Sequence, residues 1–513
     1  MPPLVPTATN MKRRQSELQA VLDELDREHL RRQRRTIDAF VEPGSRVTAI
    51  VDGRQLIDFS SNDYLGLARN PAVAAAMSEC AEQCGSGSGA SHLVTGHGAE
   101  HTRLEEELAA FTGRERALLF STGYMANLAV MTTLAGRGET VLLDRLSHAS
   151  LIDGGLLSAA RFKRFAHADA QAAETALAEH SETTSVVATD GVFSMDGDIG
   201  PLDKLAHASK SHDAWLVVDD AHGLGVIGAT GRGAVEHFGL DTDAVPVLVG
   251  TLGKAFGSFG AFVAGSTELI ELLMQKARSY IYTTALPQPV AAASRKALEI
   301  AQRETWRRVR VLALATRFRR GAAEADVPLL VTPALSAGRR SDDASDAGRK
   351  RTETLAKGGT GLADATGATK NDAVNRVSIR AGVPTDTGAA TGGAAGAGDA
   401  GAKDLLAVAS RAAGLHTRAA GPRAAALPAA GPQAVDQPVT PIQPVLLGSS
   451  EAALRAQREL LAAGFCVVAI RPPTVPQGSA RLRVTLSAAH TEAQVDELIE
   501  TLGRICAAQR MVS

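Results

Sequence analysis

The chain has 513 residues, of which 45% are hydrophobic and 21% charged, and its formal net charge is −2. This length favours two or three folded units, and this composition is typical of a globular protein with a sizeable core. The near-neutral charge gives no reason to expect a nucleic-acid partner, and four scattered cysteines do not form a disulfide framework. No apolar run is long enough to cross a membrane, so the sequence predicts a cytoplasmic protein.

A helix is predicted near the N-terminus, because leucine and valine recur at three- and four-residue steps between Gln15 and Phe40. Four arginines lie in its last part, within residues 31–35. Cations are favourable at a helix C-terminus without any further role, and the spacing alone favours that explanation. One of these arginines could instead bind an anionic substrate.

Val47–Phe59 alternates around Asp52-Gly53, which predicts a β-hairpin. A loop rich in glycine and serine follows at residues 85–91. It lacks the Gly-Lys-Ser/Thr ending of a nucleotide-binding loop, and no apolar strand precedes it, so it does not indicate a P-loop.

Six short apolar runs alternate with helical segments in the middle of the chain. This rhythm predicts βα units and a mostly parallel sheet with helices on both faces. The runs are Ala117–Phe120, Thr140–Leu143, Ser185–Ala188, Trp215–Val218, Val247–Val249 and Ala261–Ala264.

Polar and reactive residues follow five of these runs. Since ligands bind at the carboxyl ends of parallel strands, we predict that the five strand ends form one site. The segments are Ser121–Tyr124, Asp144–His148, Asp190–Ser194, Asp219–His222 and Thr251–Lys254.

The composition changes at residues 335–438, where Ala, Gly, Thr, Asp and Arg dominate. Such a segment buries too little apolar surface to offset its ordering entropy, so we predict a disordered insertion. Two helices and three strands are predicted after it, and they complete a small α+β domain that the insertion interrupts. The predicted organisation is a disordered extension at 1–16, a helix and hairpin at 17–58, a large cofactor-binding domain at 59–300, and a small domain at 301–334 and 439–513.

Lys254 stands among glycines and small residues, so a flat ligand could approach its amine closely. Pyridoxal phosphate requires a lysine that forms a Schiff base, a carboxylate at the pyridine nitrogen, and a phosphate cup. Asp219 supplies the carboxylate, and the helix that opens after Ser121 suits the phosphate. Singly, a loop lysine is usually solvated and such an aspartate could only cap a helix. Together they predict a pyridoxal-phosphate site.

Three more residues suit this cofactor. His222, just past Asp219, suits the phenolic oxygen, and His148 could stack on the ring's face. Thr251 can add a hydroxyl. A single histidine is more often structural than catalytic, so these roles depend on the whole set.

Six segments resemble, in order, the α-oxoamine synthases, which are fold-type I pyridoxal-phosphate enzymes. The resemblance covers about residues 17–333 and 439–507. It implies a large domain with a mostly parallel seven-stranded sheet, a smaller α+β C-terminal domain, and a homodimer with shared active sites. The segments are Phe59–Leu67, Asp144–Ser150, Gly191–Asp198, Val218–Gly225, Thr251–Gly257 and Ala469–Pro476.

The resemblance also implies roles for single residues. Lys254 holds the cofactor and acts as general base, Asp219 pairs with the pyridine nitrogen, His222 contacts the ring oxygen, and His148 covers the ring. The other implied cofactor contacts are Ser194 and Thr251 beside the ring, Gly123 and Tyr124 at the phosphate, and Thr283 and Thr284 from the neighbouring subunit.

For the substrate, Arg471 matches the arginine that grips the amino acid's carboxylate, and Thr474 lies close by. Arg31 matches the family's N-terminal substrate arginine, with Arg32 as the alternative. Asn62 and His148 complete the predicted substrate contacts, and no metal site is predicted.

The implied reaction is the decarboxylative condensation of L-alanine with a pimeloyl thioester, carried by coenzyme A or an acyl-carrier protein, in biotin synthesis. The sequence of residues 470–476 favours this reaction over that of the sister enzyme, which joins glycine to acetyl-CoA. A cofactor-bound regulator without turnover is the alternative from another class. Intact Lys254, Asp219, His148 and Arg471 disfavour it. The chain departs from the family pattern at Asp190, where glutamate is frequent, and in the insertion.

Overall fold

A computed structural model describes residues 8–180, 183–330 and 439–511. The strands are β1 (Ile37–Phe40), β2 (Thr48–Val51), β3 (Arg54–Asp58), β4 (Arg116–Phe120), β5 (Thr140–Asp144), β6 (Arg161–Phe165), β7 (Thr184–Asp190), β8 (Trp215–Asp219), β9 (Val247–Thr251), β10 (Ala261–Gly265), β11 (Ile442–Gly448), β12 (Phe465–Cys466), β13 (Val468–Ile470) and β14 (Ala480–Thr485). The helices are α1 (Ala8–Arg27), α2 (Pro71–Cys84), α3 (Ala99–Thr112), α4 (Gly123–Leu134), α5 (Ala149–Leu157), α6 (Ala170–Glu179), α7 (Leu202–Ser211), α8 (Ala234–His237), α9 (Thr267–Lys276), α10 (Arg278–Ile281), α11 (Gln288–Arg303), α12 (Trp306–Glu324), α13 (Ser450–Ala462) and α14 (Glu492–Arg510), with a π-helical turn at His92–Gly96.

A seven-stranded sheet in the order β4-β10-β9-β8-β7-β5-β6 forms the centre of the large domain. β10 runs antiparallel to both of its neighbours, and the remaining pairs are parallel. Successive residues of one strand, such as Val217 and Val218, belong to two separate buried apolar clusters. Because successive side chains of a strand point to opposite faces, both faces are covered. The predicted mostly parallel, seven-stranded sheet is therefore confirmed.

The edge strand β6 is not among the predicted apolar runs. Its sequence is Arg-Phe-Lys-Arg-Phe, and Arg161, Lys163 and Arg164 are exposed. Charged residues on an edge strand discourage pairing with another chain, and they also remove the apolar run by which a buried strand is recognised.

The first helix is shorter at its C-terminal end than the sequence predicts. α1 ends at Arg27 instead of continuing to Phe40. His29 has a left-handed φ of 57°, and the Leu30 N–H donates to the Leu25 carbonyl at 2.7 Å, which closes the helix. In a longer helix the arginines that follow would repel one another at three- and four-residue spacing. α1 begins at Ala8, inside the predicted extension at 1–16, whose first seven residues lie outside the described part.

The N-terminal hairpin and the small domain share a sheet. β2 and β3 pair around Asp52 and Gly53, whose positive φ values of 49° and 75° suit a two-residue hairpin turn. β12 joins this sheet parallel to β3, and the small sheet has the order β11-β14-β13. The single strand predicted at Cys466–Ile470 is thus divided between two sheets.

The predicted insertion at 335–438 lies outside the described residues, but the segments on either side of it pair with each other. The Leu330 N–H donates to the Pro444 carbonyl at 3.0 Å, and the Leu446 N–H donates to the Pro328 carbonyl at 2.8 Å. The chain therefore returns to the place it left. Among the described helices, none is long and apolar enough to cross a bilayer.

We expect residues 335–437 to be replaceable by a linker of about eight glycines and serines. The flanking segments already pair, and each halving of a loop's length lowers its closure cost by about 0.6 kcal/mol. Thermal unfolding followed by circular dichroism should give a Tm equal to or above that of the full chain. A Tm lower by more than about 5 °C, which corresponds to roughly 2 kcal/mol or more in a chain of this size, would show that the segment supports the small domain.

Candidate active site

The carboxyl ends of the central strands converge. β7 and β8 pair Asp190 with Asp219 in register, and β9 leads through Thr251 to Lys254. β5 leads to His148, which caps α5, and β4 leads to α4. All five predicted segments therefore lie at the same edge of the sheet, as expected for parallel strands.

Asp219 is held by hydrogen bonds from two elements. The residue is only 6% exposed, and its Oδ1 accepts from the Ala221 N–H at 3.1 Å. Its Oδ2 accepts from Asn127 Nδ2 at 2.6 Å, and Asn127 comes from α4. A buried carboxylate is costly unless it is hydrogen-bonded, so these contacts stabilise it and fix its direction.

The same hydrogen-bonded chain reaches His148. Asn127 Nδ2 also donates to Ser150 Oγ at 2.8 Å, and Ser150 Oγ lies 2.6 Å from His148 Nδ1. Desolvation by the surrounding protein lowers the pKa of His148, although the residue keeps one side open to solvent. The neutral imidazole is therefore favoured, and its open side could be covered by a flat ring.

Asp190 holds the backbone of His148 in place. Its Oδ2 accepts from the backbone N–H of His148 at 2.9 Å. Burial, and then the negative charge of Asp219, raises the pKa of Asp190 well above its ordinary value. Two adjacent carboxyl groups avoid carrying two full charges, so the protonated form of Asp190 is favoured beside Asp219.

Lys254 lies near these carboxyl groups, and the pKa of its amine is lowered. Desolvation lowers the pKa of its amine from 10.5 to about 8, and the charge of Arg483 acts in the same direction. The negative charge of Asp219 opposes that shift. A substantial fraction of the amine is therefore neutral near pH 8, which is the form that attacks a carbonyl or accepts a proton.

A second cluster surrounds His222. Its Nδ1 lies 2.6 Å from the hydroxyl oxygen of Tyr64, and the same oxygen lies 3.2 Å from Asn62 Oδ1. Arg483 donates from Nη1 to the same Asn62 oxygen at 3.0 Å and from Nε to the Ser194 carbonyl at 2.6 Å. Through Arg483, three predicted site residues are held together: Asn62, Ser194 and His222.

The phosphate end is built around the start of α4. Thr122 caps the helix by accepting from the Met125 N–H at 3.2 Å. At Gly123 an added Cβ would meet nothing within 4 Å, so the helix N-terminus is open to an anion. Tyr124 is 45% exposed, and its hydroxyl is hydrogen-bonded to Asp153. Thr251 donates its hydroxyl proton to the Gly260 carbonyl at 3.0 Å.

Thr283 and Thr284 lie elsewhere in the described chain. Thr283 Oγ1 donates to the Ser279 carbonyl at 2.6 Å, and Thr284 pairs with Ser91 next to the glycine-rich loop. Neither contact joins them to Lys254. Their predicted position in a neighbouring subunit's site stays a prediction.

The predicted arginines line a cavity of about 690 Å³ between the N-terminal segment and the small domain. Arg32 donates from Nη2 to Thr474 Oγ1 at 3.2 Å, and Arg471 donates to the His29 carbonyl. Arg31 pairs with Asp26 at 2.5 Å. Of the two N-terminal alternatives, the structure places Arg32 against the predicted substrate residues.

Sequence reasoning missed four residues that hold this site together. Ser150 and Asn127 connect His148 to Asp219, and Tyr64 and Arg483 support His222. One signal was available, because Arg483 alternates with Arg481 in a strand whose residues are all buried. Arginine is seldom fully buried unless its guanidinium is paired with other groups.

These residues fit pyridoxal phosphate. A hydrogen-bonded, buried carboxylate suits a protonated pyridine nitrogen, and an amine with a pKa of about 8 suits the aldehyde. The open helix N-terminus at Gly123 suits the phosphate. Because Asn127 projects from the same helix and holds Asp219, the phosphate and ring-nitrogen ends are rigidly linked.

Known proteins resemble this chain over most of its length. The sequence matches the family model for class I and II aminotransferases over residues 54–334 and 371–502. An 8-amino-7-oxononanoate synthase of Methylococcus capsulatus is 46% identical over 462 residues, which cover 90% of this chain and 92% of the relative. One from Stutzerimonas stutzeri is 47% identical over 475 residues, which cover 93% of each.

Solved structures give the same fold. A serine palmitoyltransferase from S. paucimobilis, with pyridoxal phosphate bound to myriocin, has a TM-score of 0.71 and 25% identity, and the match covers 96% of this chain and 97% of that one. An 8-amino-7-oxononanoate synthase from Francisella tularensis has a TM-score of 0.60 and 25% identity, with 89% and 99% covered. The predicted fold class and cofactor are thereby confirmed. The chain belongs to the class I and II aminotransferase family, in the branch of its 8-amino-7-oxononanoate synthase relatives.

Proposed function

We propose that the chain condenses L-alanine with a pimeloyl thioester, releases carbon dioxide and forms 8-amino-7-oxononanoate. The observation that carries this proposal is Lys254, with its lowered pKa, facing the hydrogen-bonded carboxylate of Asp219 in a chain 44–47% identical to several synthases of that name. The acyl carrier is coenzyme A or an acyl-carrier protein. We further propose a cytoplasmic homodimer in which Thr283 and Thr284 serve the partner's site.

When bound, pyridoxal phosphate supplies a conjugated ring that accepts the electron pair left at the substrate's α-carbon. Asp219 would stabilise a positive charge on the ring nitrogen, and Asn127 keeps the carboxylate aligned. The Lys254 amine accepts the α-proton and later returns it, which its pKa of about 8 allows near neutral pH. His148, with its neutral imidazole, would cover one face of the ring and exclude water from that face.

Arg483 is the residue that we propose for the carboxylate of alanine. A guanidinium has five N–H donors, and its contacts with Ser194, Asn62 and Tyr64 use three of them. Those partners are neutral, and the charge of Arg483 is close enough to Lys254 to lower the pKa of that amine. An amino acid that takes the place of the Lys254 amine on the cofactor would bring its carboxylate into this positive field.

Arg471 would then contact the acyl substrate and not the carboxylate of alanine. It lies with Arg32 in the 690 Å³ cavity, which is large enough for an acyl chain and the arm of its carrier. The family resemblance assigns the amino acid's carboxylate to Arg471 instead. The two assignments predict different kinetics, and variants of the two arginines distinguish them.

Turnover is the direct test of the proposed reaction. The wild-type chain should release carbon dioxide from alanine only when a pimeloyl thioester is present, on one or both carriers, and should use glycine with acetyl-CoA poorly. Lys254→Ala should lose at least about a thousandfold, since it removes both the anchor and the base. Lys276→Ala, on the exposed face of α9, is the matched control and should keep full activity. Full turnover by Lys254→Ala would contradict the proposal.

Arg483→Lys should raise the KM for alanine about ten- to a hundredfold and leave the KM for the pimeloyl thioester nearly unchanged. Such a loss corresponds to roughly 1.5–3 kcal/mol for hydrogen bonds to a charged group. Arg471→Lys should show the opposite pattern. If Arg471→Lys alone raises the KM for alanine, the carboxylate belongs to Arg471 and the assignment to Arg483 is wrong.

Covalent attachment of the cofactor should depend on pH with the pKa of Lys254. Below about pH 8 most of the amine is protonated and unreactive, so the attachment rate to apoprotein should rise nearly tenfold per pH unit. Above about pH 8 it should level off. Stopped-flow absorbance measures this rate directly. A rise that continues towards 10.5, the ordinary lysine value, would show that the site does not lower this pKa.

A further inference from the structure

Tyr64 is a buried residue that the reaction described above does not use. It is 0% exposed, and its hydroxyl lies 2.6 Å from Nδ1 of His222. Burial raises the pKa of Tyr64, so the hydroxyl keeps its proton. The same oxygen accepts a long contact from Arg483 Nη2 at 3.5 Å and lies 3.2 Å from Asn62 Oδ1. The side chains of Tyr64, His222, Asn62 and Arg483 thus form one hydrogen-bonded cluster, and the position of each proton in it can be deduced.

His222 is neutral in this environment. Desolvation lowers its pKa well below the ordinary value, and the positive charges of Lys254 and Arg483 act in the same direction, followed by His148. A neutral imidazole carries one proton, on Nδ1 or on Nε2, and its hydrogen-bond partners select between them. The partner of Nδ1 is Tyr64.

Two arrangements satisfy the contacts. In the first, His222 Nδ1 donates to Tyr64, and the Tyr64 proton goes to Asn62 over 3.2 Å. In the second, Tyr64 donates to His222 over 2.6 Å, and the histidine proton lies on Nε2.

The distances and the arginine select the second arrangement. A hydroxyl donates best at about 2.5–3.0 Å, so the bond to His222 is the stronger of the two. Arg483 Nη1 already donates to Asn62 Oδ1 at 3.0 Å, which reduces the need of that oxygen for another donor. The Arg483 contact with the Tyr64 oxygen also favours release of the hydroxyl proton towards His222.

We propose that Tyr64 is a positioning residue that keeps the proton of His222 on Nε2, so that His222 presents a donor to the phenolic oxygen of pyridoxal phosphate. This proposal rests on the cofactor site of the proposed function, though not on its substrates. A phenolic oxygen that carries negative charge is stabilised by a donor and repelled by a lone pair. Tyr64 therefore determines whether His222 attracts or repels the cofactor.

The first test reads the position of the proton. The full-length chain, labelled with ¹⁵N-histidine, is compared with Tyr64→Phe and with Tyr280→Phe, a control that removes the hydroxyl of another buried tyrosine. Loss of the signal in His222→Asn assigns it. We expect the Nε2–H tautomer in the wild type and in Tyr280→Phe, and a mixture of both tautomers in Tyr64→Phe. An Nδ1–H tautomer in the wild type would overturn the proposal. So would an unchanged Nε2–H tautomer in Tyr64→Phe.

The second test uses the cofactor without alanine or thioester, so a chain inactive towards those substrates still gives an answer. Tyr64→Phe should weaken pyridoxal-phosphate binding roughly five- to tenfold and raise the midpoint pH of the cofactor's visible absorbance change by about one unit. In a His222→Asn background the same substitution should add nothing, because Tyr64 acts through His222. An equal effect in both backgrounds, or a lower Tm with an unchanged midpoint pH, would show a merely structural role.

Discussion

A carboxylate that is buried at the end of the central strand imposes the main constraint on this molecule. Asp219 lies at the carboxyl end of β8, and a charge so far from water must be compensated locally. Asn127 reaches it from α4, the Ala221 amide reaches it from its own loop, and the positive charge of Lys254 lies close to it. Because α4 also presents its N-terminus at Gly123, one helix sets the distance between the anion-binding end and the ring-nitrogen end. The remaining strands position groups around that axis.

The arginines of the site occupy two different environments. Arg483 is buried, is held by neutral partners and lies within the electrostatic reach of Lys254. Arg32 and Arg471 lie in a wide cavity at the edge, where long substrates could enter. A serine palmitoyltransferase with bound pyridoxal phosphate shares this fold at 25% identity. Selectivity for the acyl group is therefore expected in the cavity rather than around Asp219 and Lys254.

Hydrophobic pattern and motif predicted most of the sheet and the cofactor centre, because buried parallel strands are apolar and their ends carry the reactive groups. β6 could not be predicted in this way, since its charged residues face solvent at an edge. For the first helix the pattern predicted too much structure, because the predicted helix was longer than α1. Leucine spacing indicated a helix, but repulsion among arginines and a left-handed turn at His29 ended it earlier. Asn127 and Tyr64 were missed because their roles appear only when α4 and the N-terminal loop pack against β8.

The most direct test of this account is reduction of the cofactor-loaded protein with borohydride, followed by peptide mapping. If Lys254 is the residue placed opposite Asp219 to hold pyridoxal phosphate, one pyridoxyl group per chain should be found, on the peptide that contains Lys254. The Lys254→Ala variant should give none. A label on another lysine, or equal labelling of the variant, would contradict the account.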